Sequence, residues 1–78
     1  MFFTYVLKSK KDGNLYIGWT SDLQNRFDLH NAGQVSATKY RLPLELIYYE
    51  ACLSKDLAIA REKQLKTGET GKGKDFRG

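Results

Sequence analysis

The side chains with the most chemical scope in this chain are two phenols, a guanidinium beside an imidazole, and one late carboxylate. Tyr5 and Tyr16 stand eleven positions apart, each inside a short apolar run. Arg26 and His30 are four residues apart, a spacing that stacks both along one edge of a helix, at the border between core and solvent. Glu62 falls four residues after Ala58 and three before Leu65, on the rim of an apolar helical stripe. A carboxylate there must meet something: a metal ion, an arginine partner, or plain solvent at the edge of the face. Lys39-Tyr40-Arg41 sets an aromatic between two cations, with Ser36 and Thr38 just upstream. Such a stretch can lie on a sugar-phosphate chain, its hydroxyls and cations on phosphate and Tyr40 stacked on a base. Polar loops of no special purpose look the same.

These residues are positioned by a hairpin, two helices and one further strand. Phe3, Tyr5 and Leu7 alternate with Thr4, Val6 and Lys8, the period of two that suits a strand. Leu15-Tyr16-Ile17 begins a second strand, closed by Gly18 and Thr20. Asp12-Gly13 between them is a hairpin signal, since glycine accepts the positive φ that tight turns need. Whether the two phenols share a face depends on turn type and bulges and is not fixed by counting. Thr20-Ser21-Asp22 supplies acceptors for a helix start. That helix is predicted from about Asp22 to Asn31, with Leu23, Phe27 and His30 toward the sheet and Gly33 as its left-handed stop.

Residues 33–43 have no period and read as a loop ending at Pro43. Leu44–Cys52 is dense in β-branched and aromatic residues and is predicted as the central strand of the sheet. Tyr48 and Tyr49 point to opposite faces, with packing as the account of both. Ser54 caps a second helix over residues 55–66, with Leu57, Ala58, Ala60 and Leu65 as its apolar face and Thr67-Gly68 as its stop. Arg61 also points inward, on a stem long enough to snorkel.

With 78 residues the chain is one domain, burying about 60–65% of the surface its unfolded form exposes. Residues 1–68 are assigned to that domain, and the glycine- and lysine-rich residues 69–78 to a mobile basic tail. No apolar run approaches the ~18 residues needed to span a bilayer, and the N-terminus reads as a strand and not as a signal peptide. The single Cys52 excludes an internal disulfide, fits a reducing cytoplasm and reads as a small core residue. The net charge of +4 is concentrated at the ends: residues 61–78 carry six basic side chains, Lys63 and Lys66 among them, against three acidic ones. Basic ends suit binding to a phosphate backbone, and they also suit plain solubility.

Taken in order, these residues resemble the GIY-YIG nuclease family. Phe3-Thr4-Tyr5 and Tyr16-Ile17-Gly18 are similar to its two signature tripeptides. Arg26, His30-Asn31, Tyr40 and Arg61-Glu62-Lys63 follow at matching places. The likeness spans residues 2 to about 68. It is nearest to small stand-alone bacterial members of UPF0213 type, related to the N-terminal nuclease domain of the excinuclease C subunit. The resemblance implies an α/β sandwich: a central three-stranded antiparallel sheet flanked by helices, in the order β-β-α-β-α read independently above.

The resemblance further implies metal-dependent hydrolysis of a phosphodiester, with DNA the favoured substrate, recognised by structure more than by sequence. By position, Glu62 is to hold one Mg²⁺ or Mn²⁺, and Arg26 to brace the non-bridging oxygens as charge builds. Tyr16 is the candidate general base, or a relay to one. A free phenol ionises near pH ~10, so at neutral pH this role needs cations nearby to stabilise phenolate. His30 is a second candidate for base or proton carrier, and Tyr5 supports by hydrogen bonding. Lys39, Tyr40, Arg41, Lys63 and Lys66 are assigned to nucleic-acid contact.

The chain departs from the family pattern in three places. Only the tyrosine of the first tripeptide is kept, Trp19 stands where some members have lysine, and the tail offers no counterpart to a late asparagine. The reading expects no appended DNA-reading domain, so a protein partner is one expected source of targeting. The alternative reading is a non-catalytic nucleic-acid-binding module of the same fold.

Overall fold

Three strand-forming apolar runs and helical periodicity in two other segments produce the expected order of elements. The computed structural model describes residues 1–67: β1 (Phe2–Ser9), β2 (Leu15–Thr20), α1 (Leu23–Asn31), β3 (Leu44–Cys52) and α2 (Lys55–Thr67). The stop at Gly68, the domain boundary there and the basic tail 69–78 lie outside the described residues. The strands form one antiparallel sheet in the order β2-β1-β3, flanked by the two helices. This is the three-stranded α/β architecture with β-β-α-β-α connectivity.

The hairpin turn is held by its own polar groups. Gly13 adopts φ 77° and donates its N–H to Ser9 O at 2.8 Å, while Asp12 Oδ1 accepts from Asn14 N at 2.9 Å. Ser9 Oγ accepts from the amides of Lys11 and Asp12 and donates to Arg41 O at 2.7 Å, tying the turn to the loop that precedes β3. The resulting register pairs Tyr5 with Gly18 and Leu7 with Tyr16, which puts both phenols on one face of the sheet. On that face Tyr5, Leu7 and Leu44 form a buried cluster, covered by Leu23 and Phe27 of α1. The opposite face buries Thr4, Val6 and Ile17 with Ala58 of α2. The hydroxyl of Thr4 donates to Ala58 O at 2.9 Å, an approach that a small residue on the helix permits.

Two expectations are corrected here. The central strand is β1, and β3 is an edge. Its aromatic density reflects no double burial: Ile47, Tyr48 and Tyr49 are each about half exposed, so packing does not account for the two tyrosines. Between Val6 and Leu7 the register with β3 shifts, leaving Ile47 unopposed. This bulge reverses the parity of the strand, so that Leu46 and Tyr49 come to one face although three residues separate them. The second correction concerns α2. Leu57 and Ala60 are exposed, and the inward side is Ala58, Glu62 and Leu65 at i, i+4, i+7. The turn of the helix that seats Ala58 on Thr4 carries Glu62 from the rim to the middle of the inward face.

The first helix is capped by Asp22, whose carboxylate accepts from Asn25 N at 3.1 Å, and ends before Gly33 at φ 76°. Its last residue clamps it to the sheet. Asn31 Oδ1 accepts from Leu44 N at 2.8 Å, and Asn31 Nδ2 donates to Leu44 O at 3.0 Å. A side-chain amide thus satisfies both backbone groups at the first residue of β3. Cys52 is half-buried, not a core residue, and its thiol donates to Ser54 O. Among the described residues, no helix is long and apolar enough to cross a membrane.

Asn31→Ala removes both halves of the clamp and should lower stability by about 1–2 kcal/mol, with each partly buried hydrogen bond worth roughly 1 kcal/mol net. Urea unfolding of the two proteins measures it. An unchanged midpoint would mean that water replaces the amide without loss.

Candidate active site

Tyr5 of β1, Tyr16 of β2 and Arg26 and His30 of α1 gather on one face of the sheet, while α2 packs on the other and carries Glu62, whose charge reaches the Tyr5 hydroxyl. The rings of Tyr5 and Tyr16 lie 6.3 Å apart between centroids. His30 packs edge-on against both, at 5.8 Å from Tyr5 and 5.1 Å from Tyr16. Tyr5 can reach its place because residue 18 is glycine. A Cβ there would lie 2.6 Å from Tyr5 Oη and 2.9 Å from its Cζ, inside the closest approach of such atoms. The hydroxyl occupies the volume of the missing side chain.

His30 is completely enclosed, at 0 % exposure. Both ring nitrogens are engaged: Nε2 with Tyr5 Oη at 3.0 Å, and Nδ1 with Thr38 Oγ1 at 2.8 Å. Burial, and secondarily the positive charge of Arg26, lowers its pKa to about 4, so the imidazole is neutral at physiological pH. Tyr5 is pushed up to about 12, chiefly by burial. Arg26 opposes that rise through its reach to the hydroxyl and its charge, while Tyr16 and Glu62 add to it. The desolvation penalty wins, and the phenol stays protonated. A guanidinium and a carboxylate from different helices therefore bear on one buried hydroxyl. Any proton reaching His30 must come through Tyr5 or Thr38, because neither ring nitrogen meets solvent.

The loop hydroxyls are expected on phosphate, and for Thr38 this is corrected: it is 0 % exposed and faces His30. Its loop has no periodicity from which burial can be read. Asn31 and Gly18 stood in the sequence as motif neighbours, and their duties depend on register and helix docking.

The charged groups distribute unevenly. Glu62 is largely buried, its side chain 16% exposed, and pairs with Lys66 Nζ at 2.8 Å. Arg61 turns to Glu50 of β3, also at 2.8 Å. Of the residues assigned to nucleic-acid contact, Lys66 is thus engaged by Glu62, and Lys63 is exposed. Tyr40 is 76% exposed with Lys39 Nζ 5.1 Å from its ring centroid. Arg41 is half-buried, and Lys11 Nζ donates to Tyr40 O at 3.3 Å, drawing the hairpin turn into the same basic surface. Trp19 faces α2, where Lys55 Nζ lies 5.5 Å from its ring centroid. A cleft of about 450 Å³ between Phe3, Leu23, Phe27, Leu46 and Tyr49 opens beside α1, and none of the sequence-assigned site residues lines it.

Among the described residues, no group of three or more His, Cys, Asp and Glu side chains is placed to hold a metal. Glu62 is a single hard oxygen donor. That fits Mg²⁺ or Mn²⁺, since an ion of this kind keeps several waters and takes one or two carboxylates plus substrate phosphate.

A family model described as the GIY-YIG catalytic domain matches residues 1–74 of the chain. Two proteins of Streptococcus pyogenes, one from serotype M5 (strain Manfredo) and one from serotype M2 (strain MGAS10270), each carry the name UPF0213 protein. Both are 44% identical to this chain over 69 residues, which cover 87% of it and 74% of each relative. No solved structure matches the chain.

Gly18→Ala forces Tyr5 off the imidazole and should cost roughly 1–3 kcal/mol, the range for overpacking a filled interior. Thermal unfolding reads the loss, and a variant as stable as the parent would show that the space is not filled. His30 gives a pH signature as well. Its folded pKa of about 4 lies below the ordinary 6.5, so between those values the unfolded chain binds the extra proton. Stability from this group is complete above about pH 6.5 and is lost as pH falls toward 4, in all about 3 kcal/mol. Urea unfolding from pH 7 to pH 4.5 should weaken the parent by about 2–3 kcal/mol more than His30→Gln. Parallel losses would place the imidazole in contact with water.

Proposed function

The chain belongs to the GIY-YIG catalytic-domain family, and from that premise we propose that it is a metal-dependent endonuclease hydrolysing phosphodiester bonds in DNA. The supporting observation is the packing of Tyr5, Tyr16 and His30 together, with the charges of Arg26 and Glu62 both bearing on the buried Tyr5 hydroxyl. Choice of substrate rests on nucleic-acid structure, or on a protein partner. The exposed Tyr40, with Lys39, Arg41 and Lys63, holds the backbone. We assign the reaction to the cytoplasm, in keeping with a lone free thiol at Cys52.

In this reading a water oxygen attacks phosphorus, and the P–O bond to the leaving strand breaks. One product end keeps the phosphate, and the other gains a hydroxyl. Arg26 pairs with the non-bridging oxygens, whose charge grows in the transition state, where a preorganised guanidinium is worth most. Glu62 would hold Mg²⁺ or Mn²⁺, which when bound supplies positive charge to the phosphate and a more acidic water. Lys66 must then yield or share the carboxylate.

Tyr16 takes the attacking water's proton as phenolate, having first given its own proton to solvent, and the leaving oxygen takes a proton from water. The rival route runs through Tyr5 into His30. An imidazole with a pKa of about 4 lies three units below neutral pH, which sets that resting place about 4 kcal/mol uphill. Tyr5 and His30 instead hold the site's geometry.

One observation favours the binding-module reading: the Glu62–Lys66 ion pair leaves the carboxylate already partnered. Purified protein with branched, nicked and single-stranded DNA and Mn²⁺ decides between the two. The nuclease should nick at least one substrate, and Glu62→Gln should reduce the rate on the order of 100-fold, the scale on which removal of a metal's anchoring shell acts. Salt-sensitive binding with equal and negligible cutting by both proteins would overturn the nuclease and leave the module.

A further inference from the structure

We propose that Thr38 is a positioning residue: its hydroxyl accepts from His30 Nδ1 and so holds the tautomer in which the Tyr5 hydroxyl keeps its lone pairs toward Arg26. The inference rests on the proposed nuclease reading for its consequence, but not for its geometry.

The tautomer follows from what surrounds the Tyr5 hydroxyl, since Thr38 Oγ1 can either accept from the ring or donate to it. Tyr5 is 1% exposed, so its O–H must donate within the protein. Among the described residues the hydrogen-bond partner at its oxygen is His30 Nε2, at 3.0 Å. Arg26, the other polar neighbour, has only donors to offer. The phenol proton therefore points to Nε2, which must be the unprotonated nitrogen. A neutral imidazole then carries its proton on Nδ1 and donates it to Thr38 Oγ1, 2.8 Å away. Thr38 is buried at 0 % exposure, so no water stands in for it.

The direction of the path has a chemical meaning. With its proton turned inward, Tyr5 leaves its lone pairs free toward the guanidinium of Arg26, whose positive charge bears on that oxygen. A hydroxyl turned the other way would aim its proton at a cation. Arg26 is the group assigned to the phosphate oxygens, so an acceptor behind it orients the fork that meets the substrate. Thr38 sits one residue before Lys39-Tyr40-Arg41, which makes the same loop the support of the imidazole on its inner side and the basic surface on its outer side.

The chain contains one histidine, so its ring nitrogens can be observed alone by long-range proton–nitrogen NMR at neutral pH. The parent should show the Nδ1–H tautomer, Thr38→Ser should keep it, and Thr38→Val should move the ring toward the Nε2–H form. A parent in the Nε2–H form overturns the proposal whatever the variants do. So does a folded Thr38→Val protein with the parent's spectrum. With nicked or branched DNA and Mn²⁺, Thr38→Val should lower kcat on the order of tenfold at little-changed KM, as loss of an imidazole's outer partner does elsewhere. Thr38→Ser should restore it. A kcat that stays at the parent's level in a Thr38→Val protein with an altered tautomer overturns the positioning role. Absence of nicking by the parent defeats the nuclease reading instead, and the tautomer measurements then decide the inference alone.

Discussion

The structure turns on placing a phenol hydroxyl where there is room for no other atom. Tyr5 lies on the central strand, and its oxygen fills the volume that a side chain at residue 18 would claim. Burial keeps the proton on that oxygen, and the proton requires an acceptor. The acceptor is an imidazole on α1, which requires a partner of its own in the loop beyond. Each polar group satisfies the one before it, because an unpaired donor or acceptor in this interior would cost about 1–3 kcal/mol. The sheet, the first helix and the loop are thereby locked into one arrangement by a path of two hydrogen bonds.

That dependence explains which parts of the molecule were legible in the sequence. The hairpin, α1 and the order of elements follow from local signals: alternation from Phe3 to Lys8, glycine at residue 13, and Asp22 before a helical period. Resemblance marks the candidate site residues by place along the chain, but place does not reveal contact. The face shared by Tyr5 and Tyr16 was settled by a five-residue turn whose register no composition encodes. The rotation of α2 was settled by Thr4 seeking Ala58 O. Thr38 gave no signal at all, since a threonine in an aperiodic polar loop is ordinarily solvated.

The reading of β3 went astray for a physical reason. A run of isoleucine and tyrosines suits any pleated surface, and strand propensity does not distinguish a central from an edge position. Two pairings of β1 decide the matter, one with each neighbour, and both are long-range facts. Glu62 illustrates the converse. Its anomaly was visible in the sequence, as a carboxylate within an apolar stripe, and the docking of the helix supplies its setting: largely buried, paired with Lys66 and felt at Tyr5.

The bulge at Ile47 bears on how the molecule behaves in a crowd. A straight outer strand with open amides and carbonyls invites a second chain to add itself, and half-exposed apolar side chains strengthen the invitation. The unopposed residue interrupts the regular spacing of those groups and sharpens the local twist, so a flat neighbour cannot register along the full length of the border. One surplus residue far from the chemistry thereby guards this border against edge-to-edge pairing.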